Sequence, residues 1–141
     1  MKTVATIKPK EGSILLIVCE PILRDLLSRT LRTQGYTIEA SSVGSDGIRK
    51  FEKRKAKISL AMIDSSLPDV SGLDLAKRIK GINGSTPIIL IKGRGRNLGP
   101  GELEKCGVDF IVTKPFHMDD TLNLVERAMI HLQDSDKSGG G

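Results

Sequence analysis

The sequence predicts an α/β fold in which a doubly wound parallel sheet of five strands carries helices on both faces. Three observations support this prediction: five short apolar runs recur along the chain, helical or loop segments separate them, and three of the runs are almost continuously apolar. Strands that are apolar on both sides are typical of a parallel sheet covered by helices above and below. A chain of 141 residues is long enough to form one domain that buries its own core.

The predicted strands alternate with the other segments from the start of the chain to its end. They are 14–19 (ILLIVC), 37–40 (TIEA), 58–63 (ISLAMI), 87–91 (PIILI) and 108–112 (VDFIV). The second run alternates polar and apolar residues, so we place it at an edge of the sheet. Cys19 closes the first run and is predicted to be a small buried residue of that strand.

The first helix has the clearest pattern of the predicted helices. Pro21 suits its first turn and Gly35 suits its end, and the positions between them form an apolar stripe. The residues of that stripe are Leu23, Leu26, Leu27, Thr30 and Leu31. The segment after Gly44 has few apolar anchors and predicts a shorter or looser helix.

Two further helices are predicted from apolar residues at helical spacing in 73–79 and 122–132. The segment between the fourth and fifth strands differs, because Gly99-Pro100-Gly101 interrupts any helix. We expect a long loop there and a fourth helix that is shortened or irregular. The pattern divides the chain into an N-terminal tail (1–12), one domain (13–133) and a flexible C-terminal tail or linker (134–141).

Composition and charge exclude several classes of protein. No apolar run approaches the roughly 18 residues of a membrane span, and the N-terminal segment lacks the apolar core of a signal peptide. The net charge is +5, but no aromatic residues interleave with the basic ones, which favours solvated helix faces over a nucleic-acid surface. The two cysteines show neither pairing nor metal-ligand spacing. We therefore expect a cytoplasmic protein with reduced cysteines and no membrane partner, and we do not favour a nucleic-acid partner.

Asp64 marks the most informative stretch of the sequence, because it ends the third apolar run and begins a polar loop. In open α/β sheets, binding and chemistry occur at the carboxyl ends of the strands, near the point where the strand order reverses. The sequence therefore places a single carboxylate where a functional site is expected.

The chain resembles the receiver domains of two-component response regulators across residues 13–133. Several motifs agree with that family in both order and spacing. They are Glu20-Pro21 with Arg24, Leu26 and Leu27 at the first helix, Gly35-Tyr36 at its end, 63–69 (IDSSLPD) with Gly72, and 113–116 (TKPF) six residues after Gly107.

The resemblance implies a flavodoxin-like sheet of strand order 2-1-3-4-5 and a role in phosphorelay signal transduction. In such a domain a histidine kinase would phosphorylate Asp64 with the help of Mg²⁺, and Lys114 would contact the phosphoryl group. A carboxylate on a rigid strand end beside a cation and a lysine suits that chemistry. The implied partners are a histidine kinase or other signalling protein, an effector domain or protein, and a second copy in a homodimer; the domain itself is not expected to be an enzyme.

The acidic residues that hold magnesium in this family have no match in an ungapped comparison. Val18 and Cys19 stand at the two positions, and only a slip of one residue would bring Glu20 into the pair. Asp64 and the backbone carbonyl of Ser66 are the remaining matches to the family's ligands. Magnesium prefers near-octahedral oxygen ligands, so its binding is predicted to be weak or absent.

Two further positions depart from the family's pattern. Lys92 replaces a Ser or Thr that contacts the phosphoryl group, and Ile111 replaces an aromatic switch residue. An ammonium about 4 Å from Asp64 would gain about 4 kcal/mol of Coulomb energy at an intermediate dielectric, before desolvation is subtracted. We therefore expect an atypical receiver domain that signals by protein contact, with little or no Mg²⁺-dependent phosphorylation. The alternatives are a conventional phosphoacceptor at Asp64, and anion or nucleic-acid binding by the loop from Lys92 to Arg96.

Overall fold

The computed structural model describes residues 12–95 and 97–139, which form a parallel sheet of five strands in the order β2-β1-β3-β4-β5. The strands are β1 (Ser13–Ile17), β2 (Thr37–Ser41), β3 (Ile58–Asp64), β4 (Ile88–Lys92) and β5 (Phe110–Thr113). The helices are α1 (Pro21–Thr33), α2 (Gly44–Arg54), α3 (Gly72–Ile82), α4 (Pro100–Lys105) and α5 (Met118–Gly139). The predicted fold class, the strand order and the edge position of β2 are confirmed.

Two apolar cores cover the two faces of the sheet, because successive side chains of a strand point to opposite sides. Leu16 and Met62 pack with Leu27 of α1 in the core that α1 and α5 cover. Ile17 packs with Phe51 of α2 in the core that α2 and α3 cover. Each fully buried side chain of this size contributes about 1.5–3 kcal/mol relative to an exposed one, so the cores hold the strand ends in fixed positions.

Helix α1 buries a narrower stripe than its sequence predicts. Leu27 and Leu31 are fully buried, whereas Leu26 is 50% exposed and therefore does not belong to the buried stripe. Ile22, one turn before Leu26 on the same face, is 85% exposed. The sequence pattern could not separate Leu26 from Leu27, because both lie near the apolar stripe and only the packed neighbours decide which one is covered.

Helix α2 is a full helix of 11 residues rather than the short or loose helix that its few apolar anchors suggested. Ile48 and Phe51 anchor it as predicted. Gly47 allows its backbone to approach the sheet, since a Cβ built there would lie 2.4 Å from Cδ1 of Ile17. Helix α4 has 6 residues, none of them buried, which confirms the shortened fourth helix.

The chain ends lie partly outside the described residues. Of the predicted N-terminal tail, the structure describes only Gly12. Helix α5 continues to Gly139, so the backbone from 134 to 139 is helical where the sequence predicted a flexible tail. Within the described part of the chain, no helix is long and apolar enough to cross a membrane.

Candidate functional site

Asp64 is the last residue of β3 and lies at the carboxyl edge of the sheet. Its register partner on β4 is Ile91, and Ile63 before it pairs with Ile17 at the end of β1. Asp64 is 1% exposed, although its side chain is a carboxylate. A buried carboxylate needs compensating donors or charges, so its partners define the site.

Lys114 and the backbone of Ser66 both contact the carboxylate of Asp64. Lys114 Nζ lies 3.0 Å from Oδ2, and the backbone N–H of Ser66 donates to Oδ1 at 3.0 Å. The Lys114 backbone N–H also donates to the Lys92 carbonyl at 2.9 Å, and the peptide bond between Lys114 and Pro115 is cis. The structure thus brings together Asp64 and Lys114, which are 50 residues apart in the chain.

Lys114 has a second carboxylate partner, Glu20. Its Nζ lies 2.7 Å from Glu20 Oε1, and the Lys114 side chain is 25% exposed while that of Glu20 is 59% exposed. Burial alone would lower the pKa of Lys114, but the hydrogen bonds and charges of Glu20 and Asp64 outweigh it and raise the pKa above its usual value. Lys114 is therefore a charged ammonium shared between a buried carboxylate and an exposed one.

Val18 and Cys19, the predicted positions of the family's acidic pair, follow directly after the end of β1. Val18 is fully buried in the core, and its backbone N–H donates to the Ser41 carbonyl. Cys19 lies beyond the end of β1 and is partly exposed, with Sγ 3.6 Å from the Ser66 carbonyl oxygen. The prediction that Cys19 is a buried strand residue was wrong, because the apolar run continues past the last residue that pairs in the sheet. The Ser66 carbonyl, a predicted magnesium ligand, therefore faces a thiol.

The acidic residues at this edge of the sheet are few. Within residues 12–95 and 97–139, no group of three or more His, Cys, Asp or Glu side chains is arranged to hold a metal ion. Val18 has no side-chain oxygen, and a thiol is a poor ligand for a hard cation. Glu20 supplies a further carboxylate at the site, and it is bound to Lys114.

Lys92 and Ile111 lie on the two strands beyond Asp64. Lys92 ends β4 and is the register partner of Thr113 on β5. Ile111 lines a groove of about 370 Å³ between β5 and α5, together with Phe116, Leu124 and other residues. A contact between Lys92 and Asp64 stays a prediction, and Arg96 of the predicted basic loop lies outside the described residues.

Asp69, in the loop after Asp64, has a role that the sequence did not reveal. Its Oδ1 and Oδ2 accept the backbone N–H groups of Gly44 and Ser45 at 2.8 Å each. Val43 at the N-cap of α2 provides no side-chain cap, so Asp69 satisfies the first turn of α2 from 24 and 25 residues away. The sequence signal for this role was Val43, which cannot cap α2 with its side chain. That signal could not show which acid caps the helix instead.

Asp69→Asn should lower stability near neutral pH, and the difference from the wild type should shrink as the solution is acidified. The hydrogen bonds from Ser45 and Gly44 lower the pKa of Asp69 below its ordinary 3.8. A lowered pKa contributes stability above the ordinary value, and that stability is lost as pH falls through the folded-state value. Urea unfolding at about pH 7 and about pH 3 measures this difference. Asp74→Asn, at an exposed acid of α3, is the control. A stability difference between Asp69→Asn and the wild type that stays constant with pH would contradict the capping role of Asp69.

The fold and the site place this chain in a known class. It belongs to the response regulator receiver domain family, whose pattern matches residues 14–126. Proteins of this family act in two-component signal transduction, and receiver domains generally bind Mg²⁺ at the phosphorylation site. The predicted family and its flavodoxin-like fold are therefore confirmed.

Individual relatives agree with this assignment. The chain is 29% identical over 107 residues to the transcriptional regulatory protein TrcR of Mycobacterium tuberculosis, covering 76% of this chain and 41% of TrcR. It is 28% identical over 127 residues to the sensory transduction protein RegX3 of Mycolicibacterium smegmatis, covering 90% of this chain and 54% of RegX3. The chain thus spans about half the length of the curated relatives that it matches. A CheY-like receiver domain protein of Methanospirillum hungatei has the same fold, with a TM-score of 0.83 at 21% identity over 89% of this chain and 99% of that one.

Proposed function

We propose that this chain is an atypical receiver domain in which Lys114, rather than a metal ion, compensates the charge of Asp64. The domain would signal by protein contact, with little or no Mg²⁺-dependent phosphorylation of Asp64. The observation that carries the proposal is the position of Lys114 Nζ, within 3.0 Å of Asp64 and 2.7 Å of Glu20. The ammonium already neutralises the carboxylate that a divalent cation would need.

The residues beside Asp64 do not fit a magnesium site. Mg²⁺ requires oxygen ligands in a near-octahedral arrangement and usually keeps several waters. The family's two acidic positions hold Val18 and Cys19, which supply no carboxylate. Displacing Lys114 from Asp64 would separate its ammonium from one of the carboxylates that hold it.

Exposed apolar residues of α1 offer a surface for a protein partner. Ile22 is 85% exposed and Leu26 is 50% exposed, and both lie within the helix that begins directly after Glu20. Large apolar side chains that share an exposed face are frequently contact sites. We propose a histidine kinase or another signalling protein of the cytoplasm as the partner, and an effector domain or protein as the receiver of the signal. This role requires no enzymatic activity of the domain, and a homodimer is compatible with it.

Incubation with phosphoramidate and Mg²⁺, followed by intact-mass measurement, tests the proposal. In a reactive receiver, a carboxylate oxygen of Asp64 forms a bond to phosphorus while the P–N bond breaks and ammonia leaves. We expect no mass gain of one phosphate in the wild-type chain. Cys19→Asp, which restores one acid of the family's pair, should raise the affinity for Mg²⁺ at least about tenfold by adding a hard oxygen ligand.

Cys19→Ala is the matched control, because it removes the thiol without adding a carboxylate. A wild-type chain that gains one phosphate, and loses that gain in Asp64→Asn, would overturn the proposal. Magnesium affinity is measured by titration calorimetry on each variant.

A conventional phosphoacceptor remains the second candidate, and the position of Glu20 favours it. Its carboxylate reaches the same ammonium as Asp64, so Glu20 could serve as the acidic ligand that Val18 and Cys19 cannot provide. The mass measurement separates the two candidates. The third, anion or nucleic-acid binding by the basic loop, includes Arg96 outside the described residues and gains no support from the site.

A further inference from the structure

Glu20 occupies a helix N-cap but does not act as a cap. Its backbone is extended, at φ −72° and ψ 117°, and its side chain makes no capping hydrogen bond to α1. Pro21 at the next position has no N–H to satisfy. The carboxylate instead reaches across the edge of the sheet to Lys114, a residue 94 positions away in the chain. Its orientation therefore has a cause other than the local helix.

Lys114 is held at several points. Its backbone N–H is fixed to the Lys92 carbonyl, and its ammonium donates to Glu20 at 2.7 Å and to Asp64 at 3.0 Å. An ammonium has three hydrogens on a flexible four-carbon stem. Two carboxylate partners define the position of the ammonium more narrowly than Asp64 alone would.

We infer that Glu20 is a positioning residue that anchors the Lys114 ammonium on Asp64 and so keeps the carboxylate covered. This inference rests on the proposed function, because it explains what keeps Lys114 at the place of a metal ion. Glu20 is 59% exposed and its carboxylate contacts the Lys114 ammonium, so it acts on Asp64 through Lys114. It also ties the segment after β5 to the start of α1, since Lys114 follows Thr113 and Glu20 precedes Pro21.

The acylation rate of Lys114 by acetic anhydride at fixed pH, followed by peptide mass spectrometry, tests this inference. Glu20→Gln keeps the shape of the side chain and removes its charge. We expect Lys114 to react about three- to tenfold faster in this variant, because its ammonium loses one of the carboxylates that hold it and stabilise its charged form. The exposed Lys53 and Lys55 of the same chain provide the reference rates.

Glu39→Gln is the matched control variant. Glu39 forms an ion pair with Arg54 at a distance of 2.9 Å, and this pair lies outside the site. It should leave the Lys114 rate unchanged, and Glu20→Asp should lie closer to the wild type than Glu20→Gln does. Because Glu20 is exposed and caps nothing, its variants should keep the circular dichroism spectrum of the wild type, and loss of the ion pair should lower the unfolding midpoint only slightly.

An unchanged Lys114 rate in Glu20→Gln overturns the positioning role, and Asp64→Asn then shows how far the failure extends. If Asp64→Asn accelerates Lys114 while Glu20→Gln does not, Asp64 alone holds the ammonium and the proposed function stands. If neither variant changes the rate, the pairing of Lys114 with Asp64 fails as well, and the proposed function loses its carrying observation.

Discussion

Lys114→Met is expected to lower the free energy of unfolding by about 2–3 kcal/mol. Removing one partner of a buried ion pair costs about 3–5 kcal/mol, because a charge stays in a poorly solvated position. The expected loss is smaller because Lys114 is 25% exposed and the Ser66 N–H still donates to Asp64. Urea unfolding of the variant and the wild type at neutral pH measures the difference.

The double variant Asp64→Asn/Lys114→Met separates loss of the ion pair from loss of packing by the lysine stem. Asparagine carries no charge that needs the ammonium, so the double variant should recover at least about 1 kcal/mol of the loss. A Lys114→Met variant as stable as the wild type would mean that water compensates Asp64, despite the 1% exposure of that residue.

Gly72→Ala is expected to destabilise the domain by about 3 kcal/mol, although alanine is the better helix former. Gly72 begins α3 and lies against the backbone of Asp64 and Ser65 at the end of β3. A Cβ built there would lie 2.4 Å from the Asp64 carbonyl oxygen and 2.7 Å from the Ser65 Cα. Both atoms belong to the backbone, so no side chain can rotate away and the start of α3 must move from β3. Thermal or urea unfolding gives the free energy, and the displaced loop should also alter the amide resonance of Ser66.

Gly81→Ala in the same helix is the matched control. A Cβ at Gly81 would meet no heavy atom within 4 Å. Alanine should therefore stabilise the protein by about 0.5–1 kcal/mol, because it reduces the freedom of the unfolded chain. Equal effects of the two substitutions would show that helix propensity, rather than contact with β3, decides the response at Gly72.

The sheet could be predicted because its information is local. Each central strand is an apolar run of the length that a buried parallel strand requires, and the motifs around Asp64 and Lys114 are short. The ends of the strands were less predictable. The apolar run at β1 extends to Cys19, but the strand ends at Ile17. Leu26 shows the same limit, because its exposure depends on which neighbour covers that side of α1.

The partners of the site were harder to predict than its centre. Asp69 caps α2 across 24 and 25 residues, and Glu20 reaches Lys114 across 94. No periodicity links such positions, because side chains that are distant in sequence meet only after the strands have set the direction of each loop. The sequence offered Glu20 as an uncertain metal ligand, and the structure places it on the ammonium.

By itself, the sequence determined the order of strands and helices along the chain and the identity of the carboxylate at the end of β3. It also showed that the two residues after β1 are Val18 and Cys19 rather than acids. These properties follow from residue type and from apolar periodicity, which act over a few residues. Only the tertiary structure decided that Lys114 is shared by Asp64 and Glu20, and that α3 begins in contact with the Asp64 backbone. Those contacts depend on how the packed cores orient the strand ends, and they convert a lone carboxylate into a closed, charge-compensated site.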